Sequence, residues 1–227
     1  MIKIENTEVY GWEAAIRGMR NPMNSWEKSD STLCHGGEGF EDCTINACGI
    51  CPRHEDFHHD IFCIGENDLK LMQNLSKAGN DHAKYLRMIN VTFDLTAPLY
   101  FLKEWDTYKV ATVSNSCSTM HKIHAKEFTF DDFSHEHLLS PMYLEYTINT
   151  LNHYRELYLK TKDKVYWWQM IQLLPSSYNQ KRTVQLNYAV LKNMYFARRN
   201  HKLDEWREFC KWIEGLPYFK EICIDVE

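Results

Sequence analysis

The stretch that most constrains the fold is 89–105, INVTFDLTAPLYFLKEW, because its hydrophobic period changes partway along. Ile89, Val91, Phe93 and Leu95 alternate with polar neighbours, the period-two pattern of a strand with one buried face. The chain turns at Thr96-Ala97, and Pro98 sits where a first helical turn tolerates a missing N–H. Leu99, Phe101, Leu102 and Trp105 then line the apolar side of a helix. A strand feeding directly into a helix requires a mixed architecture. We therefore expect an α/β (α+β) fold, a small, mainly antiparallel sheet flanked by helices.

The next residues, 106–122, change character. Asp106, Thr107, Tyr108, Lys109, Thr112, Ser114, Asn115, Ser116, Cys117, Ser118, Thr119, His121 and Lys122 crowd hydrogen-bonding side chains into one run. Buried polar groups each need a partner, so such a run is foreign to a core. It reads either as a solvated loop, since Ser, Thr and Asn favour turns, or as a polar pocket for a phosphate or a base. The formal net charge of −5 supplies no general attraction to nucleic acid or acidic membranes, so a phosphate site must be local. No apolar run is long enough to cross a bilayer, and the opening MIKIENTEVY lacks the order of a signal peptide. The expectation is a cytoplasmic chain forming one domain over 1–227, with its eight cysteines as thiols or metal ligands.

In chain order, residues 1–9 alternate as a short strand, and Trp12–Arg20 is an amphipathic helix ended by Asn21-Pro22. An irregular Cys/His-rich insertion occupies about 27–63. It holds Cys34, His35, Cys43, Cys48, Cys51, His54, His58, His59 and Cys63. Cys48 and Cys51 have the spacing of a zinc knuckle, with Cys43 and one of Cys34, His54, His58 or Cys63 able to complete a tetrahedron; we take Cys43, Cys48, Cys51 and His54 as the metal set. The competing readings are a loop with reduced cysteines and a redox pair. A helix over 67–78 is capped by Asn67 or Asp68 and stopped by Gly79. A short one follows over 82–88. Residues 126–132 are β-prone. Helices are expected over 141–160, with an apolar stripe of Met142, Tyr146, Ile148, Leu151, Tyr154 and Leu157 or Tyr158, and over 165–174. A strand over 182–186 leads into a helix over 187–199, and a last helix spans 204–215.

Two of these segments carry a resemblance. The run APLYFLKEW, then TYK, then VATVSNSCST, resembles the signature segment of the flavin-dependent thymidylate synthases. There an Ala-Pro helix ending in Gln-Trp leads to Arg-His-Arg and then Ser-x-Asn-Glu-x-Ser-x-Arg. Thr107, Tyr108 and Lys109 stand at Arg-His-Arg. With one extra residue allowed, Thr112, Asn115, Ser116 and Ser118 stand at Ser, Asn, Glu and Ser. Downstream, Leu174-Pro175, Asn187, Leu191, Asn193, Arg198 and Trp206 keep the order of that family's second conserved region, with Ala189 in place of an Arg and Lys202 in place of a His. His82 falls at the family's flavin-contacting histidine, with Lys84 two residues on.

The resemblance implies FAD as cofactor, dUMP as the nucleotide monophosphate, and a reduced nicotinamide or a folate as co-substrate, in homotetramers. On that basis His82, Lys84, Tyr108, Lys109, Asn187 and Asn193 are the flavin candidates. Ser116, Cys117, Ser118 and Arg198 are the nucleotide candidates, with Arg198 and Ser118 catalytic. The alternatives are a non-catalytic nucleotide- or flavin-binding relative and a zinc-stabilised interaction protein. The departures remove several charges from the site: Ser116 replaces Glu, Met120 stands near the second Arg, and the Arg-His-Arg is not kept.

Overall fold

In a computed structural model of the chain the described residues are 1–34 and 61–226. The elements run β1 (Lys3–Tyr10), α1 (Trp12–Arg20), β2 (Thr32–Cys34), β3 (Ile61–Cys63), α2 (Glu66–Lys77), β4 (Asn90–Pro98), α3 (Leu99–Trp105), β5 (Val113–Ser116), α4 (Thr119–Lys122), α5 (Met142–Thr161), α6 (Lys164–Leu173), β6 (Asn179–Asn187), α7 (Tyr188–Arg198) and α8 (Asp204–Glu214). Four strands form one sheet in the order β1-β4-β6-β5, and β2 pairs with β3. β5 lies antiparallel to β6, with Val113 opposite Gln185 and Ser116 opposite Arg182. The expected class, helices with a mainly antiparallel sheet, is the observed one.

The chain divides into two compact units. One is built from Met1–Glu8, Thr92–Leu186 and Phe196–Cys210, the other from Val9–Val91, Asn187–Tyr195 and Lys211–Glu227.

The first unit holds most of the sheet. In β4 the odd-numbered residues 91 to 97 are buried and the even-numbered ones are half-buried, as the alternation requires. Pro98 stays extended at ψ 148°, so the helix starts at Leu99, one residue later than its spacing implies. Phe93 meets Trp105 edge-on at 6.2 Å, Trp105 stacks on Trp206 at 6.1 Å, and Phe209 meets Trp105 at 5.0 Å. Such ring geometries add to the gain from burial. A second cluster joins Ile123, Phe128, Phe133, Leu144, Ile148, Leu151 and Met170, under α5 and α6.

Two expectations fail in this unit. Residues 126–132 are not a strand: Phe130–Asp132 is a 3-10 turn whose acid caps it, Asp132 accepting from the Thr129 N–H and hydroxyl. The apolar stripe of α5 is only partly buried. Leu144, Ile148 and Leu151 face the cluster, but Met142 and Tyr146 lie outside at 59% and 74% exposure, beside exposed Tyr143, Leu138 and Leu139.

In the second unit Gly11 links β1 to α1 at φ 95°, with the Met88 carbonyl oxygen 2.2 Å from where a Cβ would stand. Trp12 contacts Tyr188 and Tyr218 edge-on, and Tyr188 contacts Phe219. Arg20 and Asp68 form a buried ion pair at 2.7 Å. The arginine also donates to the carbonyls of Ser25 and Lys28, and Asp68 accepts from Ser29, Asp30 and Ser31. Asp68 is therefore not the cap of α2. Asp30 performs that task from outside the helix, accepting from the Asn67 and Asp68 N–H groups at 2.9 and 3.1 Å. The helix expected over 82–88 is reduced to a 3-10 turn, Lys84–Arg87.

Candidate functional site

The most connected polar group in the first unit lies at the ends of α3, α7 and α8. α3 ends in Glu104-Trp105, placing the tryptophan in the core and the glutamate at the core's edge. α7 ends at Arg198, and α8 brings the fully buried Trp206. Glu104 Oε2 accepts from Arg198 Nη1 at 2.9 Å and from Trp206 Nε1 at 3.0 Å, and His201 Nε2 stands 3.3 Å away. Arg198 Nε donates to the Tyr108 hydroxyl at 2.9 Å. Its guanidinium centre lies 4.9 Å from the Trp206 ring centroid and 5.7 Å from that of Tyr108. His201 Nδ1 accepts from the Leu203 N–H at 3.2 Å, which places a neutral ring's proton on Nε2, toward the carboxylate.

The arginine is thus clamped on several sides and electrically offset. Among the described residues, one atom of each partner stays uncommitted: Nη2 of Arg198 and Oε1 of Glu104. A donor and an acceptor remain on one charge-neutral pair.

The polar run resolves into an exposed edge strand and a turn. Residues 113–118 are exposed, and β5 ends the sheet order. Ser116 lies opposite Arg182, whose guanidinium pairs with Asp106. Cys117 extends the ladder by one bond, its N–H to the Lys181 carbonyl at 2.9 Å, and its own carbonyl accepts from Gln180 Nε2 at 2.8 Å. Its thiol is free and exposed. Ser118 Oγ accepts from the His121 N–H and lies 2.8 Å from His121 Nδ1. Lys109 is exposed, while Thr112 Oγ1 and Trp105 Nε1 are buried without a partner among the described residues.

Of the nucleotide and flavin candidates, then, Tyr108 and Arg198 are in direct contact, and Ser116, Cys117 and Ser118 are consecutive at the end of β5. Lys109 lies just before β5 in the first unit, and the remaining candidates belong to the second unit. His82, Lys84 and Asn193 are exposed there. Asn187 is buried and caps α7, its Oδ1 accepting from the Val190 N–H at 3.1 Å. The proposed zinc ligands Cys43, Cys48, Cys51 and His54 lie outside the described residues. Among the described residues no group of three or more His, Cys, Asp or Glu could hold a metal ion.

Sequence reasoning missed three participants. Glu104 was visible as the residue standing where the resembled family has Gln before Trp. The histidine sought at Lys202 is one residue earlier, at His201. His121 carried no signal beyond its spacing from Ser118.

The chain has the fold of the flavin-dependent thymidylate synthases. A crystal structure of thymidylate synthase X from Helicobacter pylori with FAD and dUMP matches 100% of this chain and 99% of its own, at TM-score 0.66 and 15% identity. A second structure of the H. pylori enzyme complexed with FAD and dUMP matches at TM-score 0.65 and 14% identity, over 99% of each chain. At such identity the likeness is one of fold. No protein-family model matches the sequence, and no curated protein matches it. Among the described residues no helix is long and apolar enough to cross a membrane.

Proposed function

We propose that this chain is a flavin-dependent enzyme acting on a uracil nucleotide, with thymidylate synthase-like one-carbon transfer to dUMP. The observation that carries the reading is the match of fold over the whole chain to enzyme structures holding FAD and dUMP. In the resembled family FAD, when reduced, supplies a hydride, and a folate derivative supplies the carbon.

The donor chemistry of this chain suits a dinucleotide. His82, Lys84, Lys109 and Asn193 are exposed, with side-chain donors uncommitted among the described residues. Asn187 keeps its amide hydrogens after capping α7, and Trp105 Nε1 is a buried donor without an acceptor among the described residues. The resemblance assigns the ring system and the diphosphate to His82, Lys84, Asn187 and Asn193 of the second unit and, separately, to Tyr108 and Lys109 of the first.

For the nucleotide, Arg198 Nη2 and Glu104 Oε1 offer a donor beside an acceptor, the complement of a uracil carbonyl next to its N3–H. With its charge already met by Glu104, Arg198 suits a base edge better than a phosphate. Ser118 Oγ, bonded to His121 Nδ1, has a partner with which to exchange a proton. Ser116 and Cys117 would line the same strand end. The exposed apolar face of Leu138, Leu139, Met142, Tyr143 and Tyr146 is the kind of surface that subunits of a tetramer cover.

One observation favours a second reading, a nucleotide- or flavin-binding relative without catalysis. Of the Arg-His-Arg cations only a lysine, Lys109, stands in place, and Arg198 is neutralised within the chain. The deciding experiment is titration of purified protein with FAD and with dUMP, followed by flavin fluorescence and calorimetry. Binding of both with turnover on adding reductant and a methylene folate supports the enzyme. Binding of either ligand without turnover supports the second reading, and binding of neither removes both.

A further inference from the structure

Three cationic residues gather about the turn that carries His124 in the first unit. Arg155, on α5, donates from Nε to the His124 carbonyl at 3.0 Å. The His124 ring meets the Tyr158 ring edge-on, 4.9 Å between centroids, and the Lys162 ammonium stands over that same tyrosine at 5.9 Å. Lys122, closing α4, accepts from the Ala125 N–H at 2.9 Å, in the tight turn that carries His124. Among the described residues no carboxylate forms an ion pair with Lys122, Arg155 or Lys162. The chain's net charge is −5, so acids are plentiful elsewhere. Gathered like charges repel one another, and nothing in the fold of this corner requires three of them.

The histidine's own surroundings point the same way. Its Nδ1 is buried with no partner among the described residues. Burial, then Lys162, Lys122 and Arg155, hold its pKa below the usual histidine value. α4 contributes Lys122, α5 contributes Arg155 and Tyr158, and Lys162 follows α5; no acid figures among the groups acting on the ring.

We propose that Lys122, His124, Arg155 and Lys162 form a binding site for the phosphate group of a small ligand, built from residues other than those of the Arg198–Glu104 group. Two ammonium groups, a guanidinium with both Nη groups uncommitted among the described residues, and an imidazole N–H match the several acceptor oxygens of a phosphate. The proposal stands apart from the flavin reading. The phosphate can belong to the nucleotide or to another phosphorylated compound. The bound anion also reverses the local field, so His124 titrates higher when the site is filled.

The test is calorimetry of the full chain with inorganic phosphate and, separately, with uridine monophosphate, alongside NMR titration of the histidine ring protons. Phosphate should saturate one site. Lys122→Gln and Lys162→Gln should each weaken it about tenfold, the loss of one charge-assisted hydrogen bond, while Lys211→Gln on α8 leaves it unchanged. His124 should move to higher pKa with phosphate in the parent and not in the lysine variants. An equal loss of uridine monophosphate binding in those variants assigns the phosphate to the nucleotide; unchanged uridine monophosphate binding assigns it to another phosphorylated compound. Failure of phosphate to saturate, an equal loss in Lys211→Gln, or a His124 titration indifferent to phosphate overturns the proposal.

Discussion

Arg198 shows how much of a residue's role its neighbours decide. As a lone cation at the end of a helix it reads as a phosphate ligand. In the fold it shares a carboxylate with Trp206 and His201 and lies against two aromatic rings. Arg198→Ala should weaken uridine monophosphate binding by roughly 2–4 kcal/mol, the range for truncating one member of a hydrogen-bonded charge pair. Arg198→Lys should fall in between, since it keeps the charge and loses the fork that reaches Glu104 and Tyr108 together. Arg199→Ala is the control: consecutive helix residues point about 100° apart, and Arg199 is exposed, over the Phe196 ring. Calorimetry of the three variants checks this, and a larger loss in Arg199→Ala would assign the role to the wrong arginine.

At the scale of elements, several helix ends are held by side chains whose function can be separated from their structural work. Asn187→Ala removes the cap of α7 and should cost about 1 kcal/mol in urea unfolding. Asn187→Asp keeps the acceptor, so stability should survive. FAD affinity should drop in both if the amide hydrogens serve the flavin. The Arg20–Asp68 pair is a harsher case. It ties α1 and α2 to residues 25–31, and Asp68→Ala strands a buried guanidinium, with an expected cost of about 3–5 kcal/mol by denaturant titration. Gly11→Ala should also destabilise, because it sets a Cβ against the Met88 carbonyl oxygen at a positive φ. Asp30, Asp68 and Gly11 show what sequence periodicity could and could not deliver here. The helix after the glycine was legible. The cap supplied from 37 positions away was not, because a capping rule looks only at neighbours in the chain.

For the molecule as a whole, carboxylates tie segments together that are far apart in the chain, and this sets the response to acid. Hydrogen bonds from Thr183, Asn6 and Lys181 hold the Asp94 carboxyl down to about 2. Burial pushes Asp68 upward, but Ser31, Ser29 and Arg20 outweigh it, leaving the group below its ordinary value. Both titrate lower folded than unfolded. The stability they contribute is complete above the unfolded value of 3.8 and drains as pH falls toward 2. Thermal melts from pH 7 to pH 2 should show the loss beginning below about 4, and Asp94→Asn should flatten it.

The sequence by itself determined most of the helices and the inward face of the central strand. Alternation at 89–95 set β4, and helical spacing located α1, α2 and α5 to α8 within a residue or two, since the period of apolar side chains is a local property of each segment. It also exposed the resemblance, carried by short runs whose spacing needs no fold to be read. Only the tertiary structure decided partners. Glu104 meets Arg198 across 94 positions and Tyr108 meets it across 90. The outer half of the α5 stripe stays in solvent because the Phe128–Met170 cluster is filled by Leu144, Ile148 and Leu151. Lys122, Arg155 and Lys162 are unremarkable in three separate places along the chain, and become a site because folding sets all three around His124. Hydrophobic period says which side of an element faces in; it carries no information about which distant charge will be waiting there.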